Sequence, residues 1–248
     1  MQFVAVPGVR VLFSVWDTRV KDFAKFVSET GYDATANVMS MTLEGGKLVG
    51  ANWKIPGFVQ DETHPVCGVN WYDAQAFCQW LTKKERAAGQ LATNQVYRLP
   101  TDAEWSAAVG LTAEGQGTPE EKSDKIEGLY PWVNQWPPPN GAGNYAGIEA
   151  RSGIWPADWG TLDGYRDAHP RSSPVGSYPP NKFGLYDMGG NVWQWCDDGR
   201  STPEKQRILR GASFLGHFPK DLLSSHHFLA SGPESRGIFL GFRCVLAH

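Results

Sequence analysis

Helix-period spacing of apolar residues is confined to a few short stretches of this chain. Val20, Phe23, Ala24 and Val27 fall at i, i+3, i+4 and i+7, which predicts a helix with Asp17 as N-cap and Gly31 just past its end. A second helix is predicted from near Asn70, with Asp73 in its first turn and Gly89 to end it. Its apolar face is Ala74, Phe77, Cys78 and Leu81. Thr101-Asp102-Ala103-Glu104 reads as a capping box: the threonine hydroxyl accepts the N3 amide and the glutamate reaches back. It opens a short third helix that closes at Gly110, and Leu99-Pro100 fixes its entry. Strand character is predicted at 9–15, and again at the end, where Phe242, Cys244 and Leu246 alternate with Arg243 and Val245.

Between these regions, about 111 to 182, the chain is rich in Pro, Gly and Asp and has no sustained period. A loop region of that length is functional or is tied down by something other than a core. The composition agrees: 11 Trp, 28 Gly and 17 Pro suit long connections held by buried indoles, not a helical bundle. With 248 residues and 41% hydrophobic content the chain can bury a core, and residues 1–248 read as a single domain. A net charge of −3 gives no electrostatic footprint for nucleic acid, and no apolar run approaches a membrane span. Neither is an expected partner. Residues 1–7 lack the basic and apolar regions of a signal peptide, so the expected location is cytoplasmic, alone or as a module of a longer protein.

Candidate chemistry is sparse. The four cysteines, at 67, 78, 196 and 244, show no CxxC spacing, which argues against a zinc ribbon or a thioredoxin-type site. Cys67 and Cys196 read as buried free thiols. GxSxG, P-loop and HExxH motifs are absent, and Gly141–Gly147 has the wrong spacing for GxGxxG. His226 and His227 would point to opposite faces of a strand, so they would not chelate together.

Four ordered signatures carry more. They are Arg98-Leu99-Pro100-Thr101-Asp102-Ala103-Glu104-Trp105, Phe183–Trp195 with its Gly189-Gly190-Asn191-Val192-Trp193 centre, Leu209-Arg210-Gly211-Ala212-Ser213-Phe214, and Gly241-Phe242-Arg243-Cys244. Together they resemble the formylglycine-generating-enzyme (sulfatase-modifying factor) family over nearly the whole chain. The resemblance implies an α+β, loop-rich fold of the C-type lectin-like type. It also implies that Cys78 and Cys244, which match a disulfide of secreted members, lie close in space. It implies structural calcium. One site matches Asn144, Tyr145, Asp163 and Tyr165, with the tyrosines giving backbone oxygen; the other matches Asp187, Gly190, Val192 and Gln194. The family commonly has Glu where Gln194 stands, so the second site is expected to be weak or empty. Read on their own, these residues fit ordinary turns better than metal ligands.

The family's enzymes bind copper(I) through two cysteines, and the matching positions here are Gly216 and Asp221. Copper is therefore not expected, and neither is catalysis. Between Ser213 and Gly241 the residues also leave the family pattern in three stretches: Leu215, Gly216, His217 and Phe218; His227, Phe228, Leu229, Ala230 and Ser231; and Gly237, Ile238, Phe239 and Leu240. The segment resembles the variable region of proteins diversified by retroelements, several of which use this fold. The resemblance implies a ligand-binding surface made of these thirteen residues, for a protein or other macromolecular ligand. A plain core role for Phe218, Phe228, Ile238 and Phe239 stays open. So do an oxygen-dependent oxidoreductase with a rearranged site and a sensory module of a larger kinase or protease.

Overall fold

A computed structural model describes residues 1–36, 38–39, 51–111, 114–152, 155–156, 159–199 and 206–248. Three helices stand where the apolar period places them. Helix α1 runs Val20–Thr30 and ends at Gly31, whose φ of 69° is the left-handed C-cap conformation that glycine adopts without strain. Helix α2 runs Trp71–Ala87. Its N-cap is reciprocal: the Asp73 amide donates to Asn70 Oδ1 at 2.8 Å, and the Asn70 amide donates to Asp73 Oδ2 at 2.8 Å. All four predicted apolar-face residues of α2 are buried. Helix α3, Asp102–Val109, has the Thr101/Glu104 capping box and closes at Gly110 with φ 98°.

The first N-cap differs from expectation. It is Arg19, whose amide donates to Asp22 Oδ2 at 3.2 Å while its Nε donates to the same atom at 2.8 Å. Asp17 lies two residues upstream and is fully buried, with one carboxylate oxygen 3.1 Å from Arg243 Nη2. Asp17 thus serves the core, and a local ion pair does the capping.

The strands are short, and long-range partners define them. Strands β1 (Phe3–Ala5) and β2 (Leu12–Ser14) form a sheet with β4 (Val96–Arg98) and β10 (Val245–Ala247), in the order β1-β2-β10-β4. The 9–15 strand signal shrinks to the three residues of β2. Strand β3 (Val38–Met39) pairs in parallel with β8 (Arg236–Gly237). The third sheet has the order β7-β6-β5-β9, from β5 (Trp193–Gly199), β6 (Arg207–Arg210), β7 (Phe228–Ser231) and β9 (Leu240–Gly241). Between α3 and β5 the regular structure among the described residues is a four-residue helix α4, Pro119–Lys122, and a 3-10 turn at Ile148–Arg151.

The core is aromatic where α1 meets α2. Phe23 and Phe26 pack on Phe77 at ring distances of 6.1 and 5.8 Å, and Phe242 comes within 5.4 Å of Phe77. Cys78 and Cys244 meet here with sulfurs 3.4 Å apart, both as free thiols. The expected alternation near the C-terminus is replaced by burial on both sides: Phe242, Arg243, Cys244 and Val245 are all 0% exposed, and Leu246 is half-buried. The segment runs between two packed layers, so Arg243 has no solvent side and takes its partners inside.

Candidate binding surface

The glycine-rich centre of the 183–195 signature is a junction of loops. A Cβ on Gly190 would stand 2.4 Å from the Asn144 carbonyl oxygen, and its φ is 82°, so only glycine fits both demands. Asn191, fully buried, then ties three loops. Its amide donates to the Asn144 carbonyl at 2.9 Å, its side chain exchanges two hydrogen bonds with the Ser173 backbone, and its carbonyl accepts the Phe214 amide at 3.0 Å. Val192 is fully buried in a cluster with Val38, Cys67, Phe214 and Ile238.

Gln194 occupies the place where the resemblance puts a carboxylate. Its Oε1 accepts Trp105 Nε1 at 2.9 Å and Arg243 Nε at 2.7 Å, and its Nε2 donates to the Asp187 carbonyl at 2.7 Å. Arg243 Nη2 also reaches the carbonyls of Tyr186 and Asp187, at 2.8 and 3.1 Å. A neutral amide and a buried guanidinium thus occupy Gln194 Oε1 and the Asp187 carbonyl, two of the oxygens near the second ligand set. Burial pushes the Asp17 carboxyl up to about 8 despite Arg243 beside it, and burial also raises Asp187.

The first ligand set keeps one feature that a hard cation would use. Asn144 is fully buried, its Nδ2 donates to the Arg171 carbonyl at 2.7 Å, and its Oδ1 has no hydrogen-bond partner. The Tyr145 and Tyr165 carbonyls each accept one amide, from Gly147 and Ile148, at 2.8 and 3.1 Å. Asp163 is exposed. The carboxylate that meets this turn is Asp167, whose Oδ2 accepts the Tyr145 amide at 2.8 Å. Burial and a hydrogen bond to Glu149 push Asp167 up to about 8.

A second buried network joins the loop region to the sheet, and sequence reasoning missed it. Asp102, in the first turn of α3, meets Lys122 of α4 at 2.5 Å, Arg210 of β6, and His227 Nε2 at 2.8 Å. Arg210 lies over the Trp105 ring at 4.5 Å and donates to the Ser224 carbonyl at 2.8 Å. Burial opposes ionisation of Asp102, but His227, Arg210 and Lys122 outweigh it and hold the carboxyl below its ordinary range. Burial lowers His227 against the pull of Asp102. The ring Nδ1 lies 2.9 Å from the Ser225 carbonyl, and Nε2 sits between Asp102 Oδ1 at 2.8 Å and Arg210 Nη1 at 2.7 Å. The one available signal was the pairing of Asp102 and Arg210 within two of the four signatures; nothing in the sequence pointed to Lys122.

The three C-terminal stretches do not share one fate. In the first, Phe218 is 57% exposed and its ring centroid lies 4.0 Å from that of His217. Leu215, Gly216 and His217 are half-buried: Leu215 packs against the cluster of Ala146, Ala150 and Trp155, and His217 packs against Gly160. In the second, Phe228 is half-buried and stacks on Trp193 at 5.3 Å, but His227 is 2% exposed within the Asp102 network. Leu229, Ala230 and Ser231 continue β7, and their side chains lie outside the described ones. In the third, Gly237, Ile238 and Leu240 are buried and Phe239 is half-buried. The expectation of a surface role is corrected for His227, Gly237, Ile238 and Leu240. Gly237 pairs with Met39, and Leu240 with Trp193, so sheet formation draws this stretch inward.

Gly216 and Asp221 flank the exposed tip. A Cβ on Gly216 would meet Leu222 Cδ2 at 2.6 Å. Asp221 lies 3.9 Å from His226 Nε2, and His226 Nδ1 lies 2.6 Å from Asp124. His226 and His227 do turn to different partners. All four cysteines are buried elsewhere. Burial pushes the Cys67 thiol up to about 12 and Cys78 and Cys196 well above the usual range.

Short strands, three principal helices and loops cross-tied by buried amides make a loop-rich α+β fold of the C-type lectin-like, formylglycine-generating-enzyme type. Residues 14–248 match the family model described as the sulfatase-modifying factor enzyme 1-like domain, and the chain belongs to that family. It is 28% identical over 271 residues to the formylglycine-generating enzyme of Mus musculus, covering 92% of this chain and 63% of that protein. It is also 28% identical over 259 residues to the inactive C-alpha-formylglycine-generating enzyme 2 of Bos taurus, covering 91% of this chain and 73% of that protein. The chain therefore spans less than two thirds of the mouse enzyme, and its relatives include proteins named as active and as inactive. The solved structure of Treponema denticola variable protein 1 shares the fold, with a TM-score of 0.58 at 19% identity, covering 99% of this chain and 91% of that one.

Proposed function

We propose that this chain is a non-catalytic recognition domain that binds a protein or other macromolecular ligand through the tip at 215–218 and the neighbouring half-buried aromatic residues. The observation that carries the reading is the exposed Phe218–His217 pair, set on a tied-down scaffold between two positions, Gly216 and Asp221, that hold no thiol. An exposed aromatic ring braced by a second ring is an anchor with little conformational freedom to lose on binding. The family resemblance to retroelement-diversified proteins adds a source for such a tip. On this reading variation is tolerated at 215, 217, 218, 228 and 239, and is costly at 238 and 240. A reverse transcriptase gene with a template repeat matching 210–244 beside the coding sequence is the expected genomic companion.

The competing reading is an oxygen-dependent oxidoreductase. Copper(I) titration against a competing chelator separates the two. The recognition domain shows no tight stoichiometric site; a tight site with thiolate absorption would overturn the proposal. Calcium belongs to the same proposal, at the Asn144 set alone, where it would give the orphaned Asn144 oxygen a partner and brace the 111–182 loops. EDTA is then expected to lower the melting temperature and elemental analysis to find about one calcium per chain. An unchanged melting curve with no calcium would remove the metal from the proposal.

A further inference from the structure

The groove between the 57–59 turn and the 169–172 segment shares no residue with the three C-terminal stretches. Its volume of about 490 Å3 falls in the range of small-molecule sites. Part of its lining is apolar: Phe58, held edge-on against Phe214, and Val59, which is 93% exposed. The polar part is His64, His169, Arg171 and Ser172. His64 is 8% exposed and its Nδ1 lies 2.9 Å from the Ser172 hydroxyl oxygen. When that hydroxyl donates, Nε2 carries the ring proton, and Nε2 has no protein partner among the described residues. The half-buried His169 ring stands edge-on to Tyr178 at 6.3 Å, and neither of its nitrogens has a protein partner among the described residues.

Two imidazoles with unused nitrogens therefore share one lining with an apolar wall, while the Arg171 guanidinium is already held by the Ala150 and Pro170 carbonyls and the Trp155 ring. Such a set offers an imidazole N–H from each ring to an anion, while the wall favours a body that sheds water on binding. We propose that this groove binds a small aromatic carboxylate, with its carboxylate on His64 and His169 and its ring against Phe58 and Val59. The site is independent of the recognition tip: Phe218 contributes nothing to it.

The test uses benzoate as probe and benzyl alcohol as its neutral counterpart, with the histidine ring resonances followed by NMR on the intact chain. Benzoate is expected to shift His64 and His169 together, saturably, with a Kd in about the millimolar range for so small a ligand. Benzyl alcohol should bind at least about tenfold more weakly, because it brings no charge to the donors. His169→Gln should weaken benzoate about tenfold, the scale of one charge-assisted hydrogen bond. Val59→Asp, at a fully exposed position that leaves packing intact, should weaken it by like-charge repulsion at the rim. Absence of saturable shifts at both histidines overturns the proposal. So does equal binding of the two probes, or benzoate affinity that is the same in the wild-type chain and both variants.

Discussion

Residues 215–218 and 237–240 read alike in sequence, as short apolar runs with a glycine and a phenylalanine, yet the fold treats them oppositely. The first ends in a ring that is 57% exposed, and the second carries Leu240 at 1% exposure and Ile238 at 2%. Composition does not separate them; hydrogen-bonding partners do. Gly237 and Leu240 each find a strand to pair with, whereas the 215–218 run turns back on itself through the Gly216 amide and the Ser213 carbonyl. A segment with a ladder to join is pulled inside along with its side chains, and a segment without one is left to the surface.

The largest expected consequence is at Leu240. Leu240→Ala empties a packed site in the main aromatic core and should cost about 2–5 kcal/mol in denaturant unfolding. A loss below about 1 kcal/mol would mean that the third stretch is not core, and the contrast would collapse. Phe228 falls between the extremes, half-buried and stacked on Trp193. Phe228→Ala should cost about 2 kcal/mol, from partial burial and the lost ring contact.

A further contrast is one of pH. Burial lowers His227, so the folded chain refuses a proton that the unfolded chain accepts. Stability is therefore full above the ordinary histidine value of about 6.5 and falls as pH drops below it, toward the lowered folded value. His227→Gln should flatten that stretch of the pH profile, whatever it does to the baseline. An unchanged slope would show that His227 is not held neutral. The smallest stability effect belongs to Phe218→Ala, within about 0.5 kcal/mol of wild type. Its effect on capture of a macromolecular ligand should be the largest of the four variants, and a Phe218→Ala chain that unfolds several kcal/mol more easily would end the surface reading.

The sequence showed what is decided locally. Helices α2 and α3 announce themselves because a cap, a period and a terminating glycine lie within one stretch, as at Asn70, Phe77 and Gly89. The Cys78–Cys244 proximity was legible through the family resemblance, and the 3.4 Å sulfur distance bears it out. What stayed hidden depends on distant partners. Asp17 resembles a cap until Arg243, far along the chain, claims it. Arg243 reads as the polar face of a strand until Gln194 and the Asp187 carbonyl surround it. Strands of two to four residues are too short for a period-2 signal, so β8 and β9 could not be separated from loop, nor Ile238 from a surface residue.

Strand β10 lies between β2 and β4, pairing Val245 with both Phe13 and Arg98. During synthesis on a ribosome the first sheet is thus missing an inner member until the chain has grown from Arg98 to Val245. At ordinary translation speed the early strands wait on the order of ten seconds with bare edges. The nascent chain has to keep those edges from pairing with neighbours during that interval, and three-residue strands offer little for a neighbour to grip.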